Sequence, residues 1–282
     1  MMLHSSCLCG KVTWDIDQPL DFMSHCHCSR CRKAHGTPFA SLVAGPATSF
    51  ELHGGEHVTR WQSSAALARP FCSHCGSVVP GDPWESLVFV PVGNFLSDPG
   101  SRPMMHIFVG SKAPWYEITD SLQRHEAYPP GVDSPVLADR PLADAGGQVR
   151  GSCNCGGVAF VVEGKPLGAW YCHCARCRRG RSAAHAANYF VEGGGVRFTR
   201  GTDLVVSYKL PEAQRFTQSF CRICGAKTPR VDPNRNRAGI PMGSLDDDPR
   251  FRPQGHIFVG SKAPWFEITG DLPQHDEYPP GF

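Results

Sequence analysis

The sequence predicts an all-β protein built twice over. Three observations lead there. Short runs of β-branched and aromatic residues are bounded by Gly, Pro and Asp clusters. No stretch keeps a clean helical apolar period over three turns. A long internal repeat divides the chain. The first strand candidate is Lys11–Ile16, KVTWDI, whose alternation puts Val12, Trp14 and Ile16 on one face. Leu87–Val92 and Ile107–Val109 follow in the first half, and Val158–Val162, Leu204–Tyr208 and Arg215–Phe220 in the second. Pro91 and Pro241 fall in or beside such runs, and a missing N–H argues for an edge or bulge there. Thirty glycines and 25 prolines leave much of the chain to turns.

Composition narrows the class. At 282 residues the chain suits one large domain or two small ones. Hydrophobic residues at 41% and charged residues at 19% fit a folded globular protein. A formal charge of +2 provides no field to draw a polyphosphate backbone, so nucleic-acid binding is disfavoured. The longest apolar run, around Ser86–Val92, is far short of a membrane span. The opening MMLHSSCLCGK has no apolar signal core, so the protein reads as cytoplasmic with no membrane partner.

The repeat covers nearly everything. HIFVGSKAPWYEIT (His106–Thr119) returns as HIFVGSKAPWFEIT (His256–Thr269). SCLCGKV, SHCHCSRCRK and FCSHCG return in the same order as SCNCGGV, WYCHCARCRR and FCRICG. Each copy is roughly 130 residues, the size of an independent domain. The expected division is a first domain over 1–132, a linker over 133–148 and a second domain over 149–282. The two copies can pack on each other as a pseudo-dimer.

The 14 cysteines carry the chemistry. Clustered thiols in a reducing compartment read as metal ligands before disulfides. Each copy holds C-x-C, then C-x-C-x-x-C, then C-x-x-C, an odd seven that cannot close as disulfides. Seven divides into a closed set of four and an open set of three. The lone C-x-C and C-x-x-C pair naturally, giving Cys7, Cys9, Cys72 and Cys75, and in the second copy Cys153, Cys155, Cys221 and Cys224. The compact motif supplies Cys26, Cys28 and Cys31, and Cys172, Cys174 and Cys177. Soft all-sulfur ligation selects zinc or iron–sulfur, and with the C-x-x-C-x-x-C ferredoxin run absent the expectation is zinc, four ions per chain, two structural and two at open sites. His27, His35, His173 or His185 would close an open site if one of them ligated. An open three-thiolate zinc carries a net negative charge that Arg30, Arg32, Lys33, Arg176, Arg178 and Arg179 could offset.

These ordered motifs, with C-H-C-x-x-C-R and H-I-F-x-x-S-K-A-P-W-[FY]-E-I, resemble the glutathione-dependent formaldehyde-activating family, also called centromere protein V-like. The resemblance implies a β-tent fold around zinc, structural zinc on the paired motifs and catalytic zinc on C-x-C-x-x-C. It implies a carbon–sulfur lyase that joins or releases a glutathione-like thiol and a small aldehyde such as formaldehyde through an S-hydroxyalkyl adduct.

Other residues are read beside this. His106 and His256 open the longest repeated block and are proton-transfer candidates, against a packing role beside an apolar strand. Trp115 and Trp265 read as packing residues. Lys112 and Lys262 read as solvated, with a substrate carboxylate as their other use. His74 faces Ile223 in the alignment of the copies and receives no duplicated role. Two other functional readings stand beside the enzyme: a non-catalytic zinc-stabilised scaffold, and one active copy supported by the other.

Overall fold

A computed structural model describes residues 1–65, 67–132, 136, 137 and 148–280. Apart from residues 136, 137 and 148, the expected linker lies outside the described residues. The first half runs β1 (Met2–Ser6), β2 (Thr13–Asp17), β3 (Asp21–Cys26), α1 (Ser29–His35), β4 (Ala40–Pro46), β5 (Glu51–His53), β6 (Val58–Gln62), β7 (Ala68–Cys72), β8 (Leu87–Pro91), β9 (Met105–Ile107) and β10 (Gln123–His125). The second half runs β11 (Val149–Ser152), β12 (Ala159–Val162), β13 (Pro166–Cys172), α2 (Ala175–Arg181), β14 (Ala186–Glu192), β15 (Val196–Arg200), β16 (Val205–Lys209), β17 (Thr217–Cys221), β18 (Arg230–Asp232), β19 (Arg237–Pro241), β20 (His256–Ile257) and β21 (Gln274–His275). The chain is nearly all β, as its sequence predicts.

Every described sheet draws its strands from one half. The first half has sheets β1-β2-β5, β10-β9-β3-β4-β8 and β6-β7. The second repeats them as β11-β12-β15, β18-β19-β14-β13-β20-β21 and β16-β17. The KVTWDI alternation works as read, since Val12, Trp14 and Ile16 are fully buried. Pro91 ends the edge strand β8. Pro241 ends β19 beyond the last β18 partner, Gly239, so its missing N–H meets a locally free edge.

The cores, unlike the sheets, are shared between halves. One buried cluster joins Phe160, Tyr171, Tyr189, Ile240 and Leu245 of the second half to Ala113 and Trp115 of the first. The other joins Trp14, Met23, Phe39 and Val90 of the first half to Ala263, Trp265 and Phe266 of the second. The repeated APW segments therefore cross over. Each follows a strand of its own half and ends among the buried side chains of the other. Lys112 and Lys262 anchor the crossing, donating from Nζ to the carbonyls of Tyr116 and Phe266. That local use replaces the solvated role read from the sequence.

The contact between halves is close and two-fold in character. A Cβ on Gly93 would lie 2.1 Å from Ala183 N, and one on Gly243 2.3 Å from Arg32 O. Only glycine permits that approach. Lys33, buried, pairs with Asp246 Oδ1 at 2.5 Å and donates to Ser152 O at 2.7 Å. Its counterpart Arg179 donates to Ser6 Oγ and Cys7 O, both at 2.7 Å. Lys33 and Arg179, expected to face the metal charge, are spent on the seam. His74 also meets the other half, its ring 5.0 Å from that of Tyr208.

Candidate metal centres

The four-cysteine sites are built from two turns brought together by the fold. Cys7 and Cys9 lie in the tight turn leaving β1, where Gly10 N donates to Cys7 O at 3.2 Å. Cys72 ends β7, and Gly76 N donates back to its carbonyl at 2.8 Å, wrapping Cys75 toward it. All four sulfurs lie within 4.8 Å of one another, as do those of Cys153, Cys155, Cys221 and Cys224. Neighbouring sulfurs are 3.5 and 3.7 Å apart in the first set, and 3.4 and 3.8 Å in the second. A tetrahedron of sulfurs at ~2.3 Å from a central ion has edges of ~3.8 Å. The donor set fits a closed, soft metal site. Backbone N–H groups of Val12 and Val158 point at Cys7 and Cys153 sulfurs at 3.4 and 3.2 Å, which favours thiolate.

The three-cysteine sites sit where a strand becomes a helix. Cys26 closes β3, Cys28 is the N-cap of α1, and Cys31 lies one turn in. Cys28 sulfur accepts from Cys31 N at 3.4 Å, so the cap itself sets the sulfur spacing. Cys174 and Cys177 repeat this at 3.4 Å. Each trio gathers its sulfurs within 4.8 Å. Among the described residues no His, Asp or Glu ligand atom joins either trio within that range. The four histidines that might have closed the sites are engaged elsewhere. His35 Nδ1 donates to Arg181 O at 2.7 Å, and His185 Nδ1 to Ala186 O at 3.3 Å. His27 and His173 bond His106 and His256.

Hydrogen bonds from Cys26 and Cys28 hold the Cys31 thiol well below its usual range, with the Arg69 charge adding to them against burial. Cys172 and Cys177 do the same for Cys174, down to about 3. Each trio thus favours one anionic sulfur before any metal arrives, while the shared hydrogen bonds and burial push its other two thiols up. Arg69 NH1 stands 3.5 Å from Cys31 Sγ. In the second half that strand position holds Gln218, which turns to Cys75 O at 2.8 Å. There the buried cation is Arg181, which burial pushes down to about 10 while the nearby Cys177 and Cys172 hold it up in part. Of the basic residues expected here, Arg176 and Arg178 act on Cys174. Arg69 and Arg181 were not legible, because neither is repeated at its own position.

Phe108 and Phe258 wall the trios. Both hold left-handed backbone, φ 58° and 59°, unusual for a bulky side chain and a recurring mark of functional sites. Each packs edge-on against a tyrosine at 4.8 Å, Tyr128 and Tyr278. The repeated HIF and YPPG motifs carried that signal. Tyr278 stays protonated, through burial first and then the nearby Cys172, Cys177 and Cys174.

His106 and His256 do not join the trios. Strand alternation turns Cys26 to one side of β3 and His25 to the other, and the His25 and His27 rings lie 5.2 and 5.1 Å from that of His106. His106 Nδ1 bonds His27 Nε2 at 2.8 Å, and its Nε2 lies 3.0 Å from both Asp120 oxygens. His256 Nδ1 bonds His173 Nε2 at 2.8 Å. Each reaches its cysteine loop only through the histidine between two cysteines.

Comparison with known proteins agrees with this architecture. A family model described as glutathione-dependent formaldehyde-activating enzyme matches residues 2–111 and 148–261. A Halomonas elongata protein, provisionally described as a glutathione-dependent formaldehyde-activating enzyme, is 33% identical over 129 residues, 42% of this chain and 82% of that protein. A crystal structure of a Rhodobacter sphaeroides protein is 28% identical, covers 36% of this chain and 92% of that one, and has a TM-score of 0.29. No helix among the described residues is long and apolar enough to cross a membrane. Two matched regions, each with its full set of cysteine clusters, place this chain in the glutathione-dependent formaldehyde-activating enzyme family.

Proposed function

We propose that the chain is a zinc-dependent carbon–sulfur lyase with two open centres, Cys26–Cys28–Cys31 and Cys172–Cys174–Cys177, joining or releasing a glutathione-like thiol and a small aldehyde. The observation that carries the reading is the contrast within each half: one cluster has four sulfurs, the other has three and no fourth protein ligand among the described residues. The domain division at 1–132 and 149–282, with both copies active, belongs to the same proposal.

Zinc held by three thiolates would supply an open position for a thiol and lower that thiol's pKa. The residues of the chain do the rest. Arg69 and Arg181 offset the excess negative charge of the trio. Phe108 and Phe258 shield the cluster from water. The sulfur lone pair forms the C–S bond as the carbonyl π pair moves to oxygen, and the thiol's proton ends on that oxygen. Tyr278, held protonated, donates a hydrogen bond to the developing oxyanion, and Tyr128 answers to it in the first half. His106 and His256 act as positioning residues, fixing His27 and His173 inside the cysteine loops.

Native mass spectrometry of reduced, zinc-replete protein should count four zinc ions per chain. Exchange between free and formaldehyde-adducted glutathione, followed by NMR, should then be catalysed and lost in the Cys28→Ser, Cys174→Ser double variant. Two ions per chain together with exchange indifferent to that variant would leave a scaffold.

A further inference from the structure

The halves differ at the buried imidazole pairs, beside a cavity that both halves line. Asp120 accepts from His106, since a carboxylate has no proton to give, so His106 Nε2 carries the hydrogen. His106 Nδ1 must then accept from His27 Nε2. The second pair has the same 2.8 Å separation, and the ring planes meet at 36° in both. Taking the same polarity for the second pair makes His256 Nε2 a donor. Its acid is missing, because the residue at Asp120's place in the second half is Gly270.

No hydrogen bond reaches His256 Nε2 from the described residues, although His256 is only 7% exposed. It lines a cavity of about 610 Å³ between the halves, together with His185, Arg252, Asp120, Glu117, Glu267 and Asp271. That nitrogen opens on the cavity, where a ligand acceptor would meet it. Arg252, paired with Asp248 at 2.7 Å, adds positive charge to the same wall. Glu117, Glu267 and Asp271 oppose a plain anion and favour a ligand with a cationic end. The volume suits a small organic molecule, and Tyr116, Tyr171 and Phe266 supply apolar walls.

We propose that this cavity binds a small amino acid, its carboxylate taking on His256 Nε2 the place Asp120 takes on His106, and its ammonium meeting the carboxylates of Glu117, Glu267 and Asp271. The site is separate from the proposed lyase centre. Tyr171 and His173 project from one side of the chain at β13, and Cys172 from the other. Occupancy therefore does not require the cysteines.

The test uses the full chain labelled with ¹⁵N-histidine and titrated with β-alanine, propionate and ethylammonium. β-Alanine should saturate one site per chain and shift the His256 Nε2 resonance while His106 stays in place. Propionate and ethylammonium should each bind at least tenfold more weakly. Gly270→Asp, which restores the missing carboxylate, should abolish binding. Gly270→Ala should bind within a few-fold of the parent, since the nearest atoms its Cβ meets all belong to the Thr119 side chain, Cγ2 at 3.3 Å first. The proposal is overturned if β-alanine leaves His256 unmoved, if propionate binds as tightly, or if Gly270→Asp binds as the parent does. Cys28→Ser, in the trio whose loop does not hold His173, should leave the β-alanine affinity unchanged, which separates failure of this site from failure of the lyase reading.

Discussion

Replacing Trp115 with alanine should damage the half of the molecule to which Trp115 does not belong. The indole is 3% exposed and sits with Ala113 in a cluster whose other buried members all come from residues 160–245. Burying an aromatic side chain of ~200 Å² at ~25 cal/mol per Å² contributes about 5 kcal/mol. Truncations of buried aromatics to alanine cost ~3–5 kcal/mol. Every ~1.4 kcal/mol is tenfold in an equilibrium, so opening of the affected region should become about a hundredfold to several-thousandfold more frequent. Hydrogen exchange read by mass spectrometry can localise the loss. Peptides covering β14 and β19 should lose protection by that factor. Equal loss in β4 and β8 would mean that the halves open as one unit, which the shared cores also permit. Unchanged protection in β14 and β19 alongside loss in β4 and β8 would refute the exchanged packing.

Two further outcomes follow from buried charge. Burial holds His185 at about 3 and His256 at about 4, below the ordinary 6.5. The unfolded chain takes up those protons first, so stability should fall as pH drops below 6.5 and level off below the folded values, by at most roughly 3 kcal/mol per pH unit for the pair. Denaturant midpoints between pH 6.5 and 4.5 measure this, and His185→Phe, which copies the first half's Phe39, should lower the slope by at most roughly 1.4 kcal/mol per pH unit, one group's share, while the other depressed histidines keep theirs; an unchanged slope counts against it. Arg69→Gln, which copies Gln218, should weaken zinc at Cys26–Cys28–Cys31 by ~10–100-fold in chelator competition while the second trio holds its ion. Equal affinity before and after would show that the guanidinium contributes nothing there.

Much of this was legible in the residues, for reasons of period and spacing. Val12, Trp14 and Ile16 alternate, so a half-buried strand followed. Cysteine spacings set the division into fours and threes, because a two-residue gap folds back on itself and distant pairs must be brought together by the fold. The exchange of the APW segments was not legible. Trp115 looks equally at home in either core, and identical repeats hide which one it fills. Arg69 escaped because charge compensation needs a cation in space, not at a repeated position. Asp120 escaped because its counterpart is a glycine, and a search guided by what recurs passes over what differs.

That last point bears on why two copies are joined in one chain. Separate identical subunits related by a two-fold axis must make every contact twice, and a change on one side of the seam is imposed on the other. Here Lys33 finds Asp246, whereas its twin Arg179 faces backbone and a serine. A symmetric pair of first halves would set Lys33 against Leu96, and a pair of second halves would set Arg179 against Asp246. Covalent linkage frees each position to answer to a single neighbour. One face can then stay sealed by its own aspartate while the other is left open, so the molecule keeps the mutual support of a dimer and gains the latitude of a hetero-pair without having to select the right partner from solution.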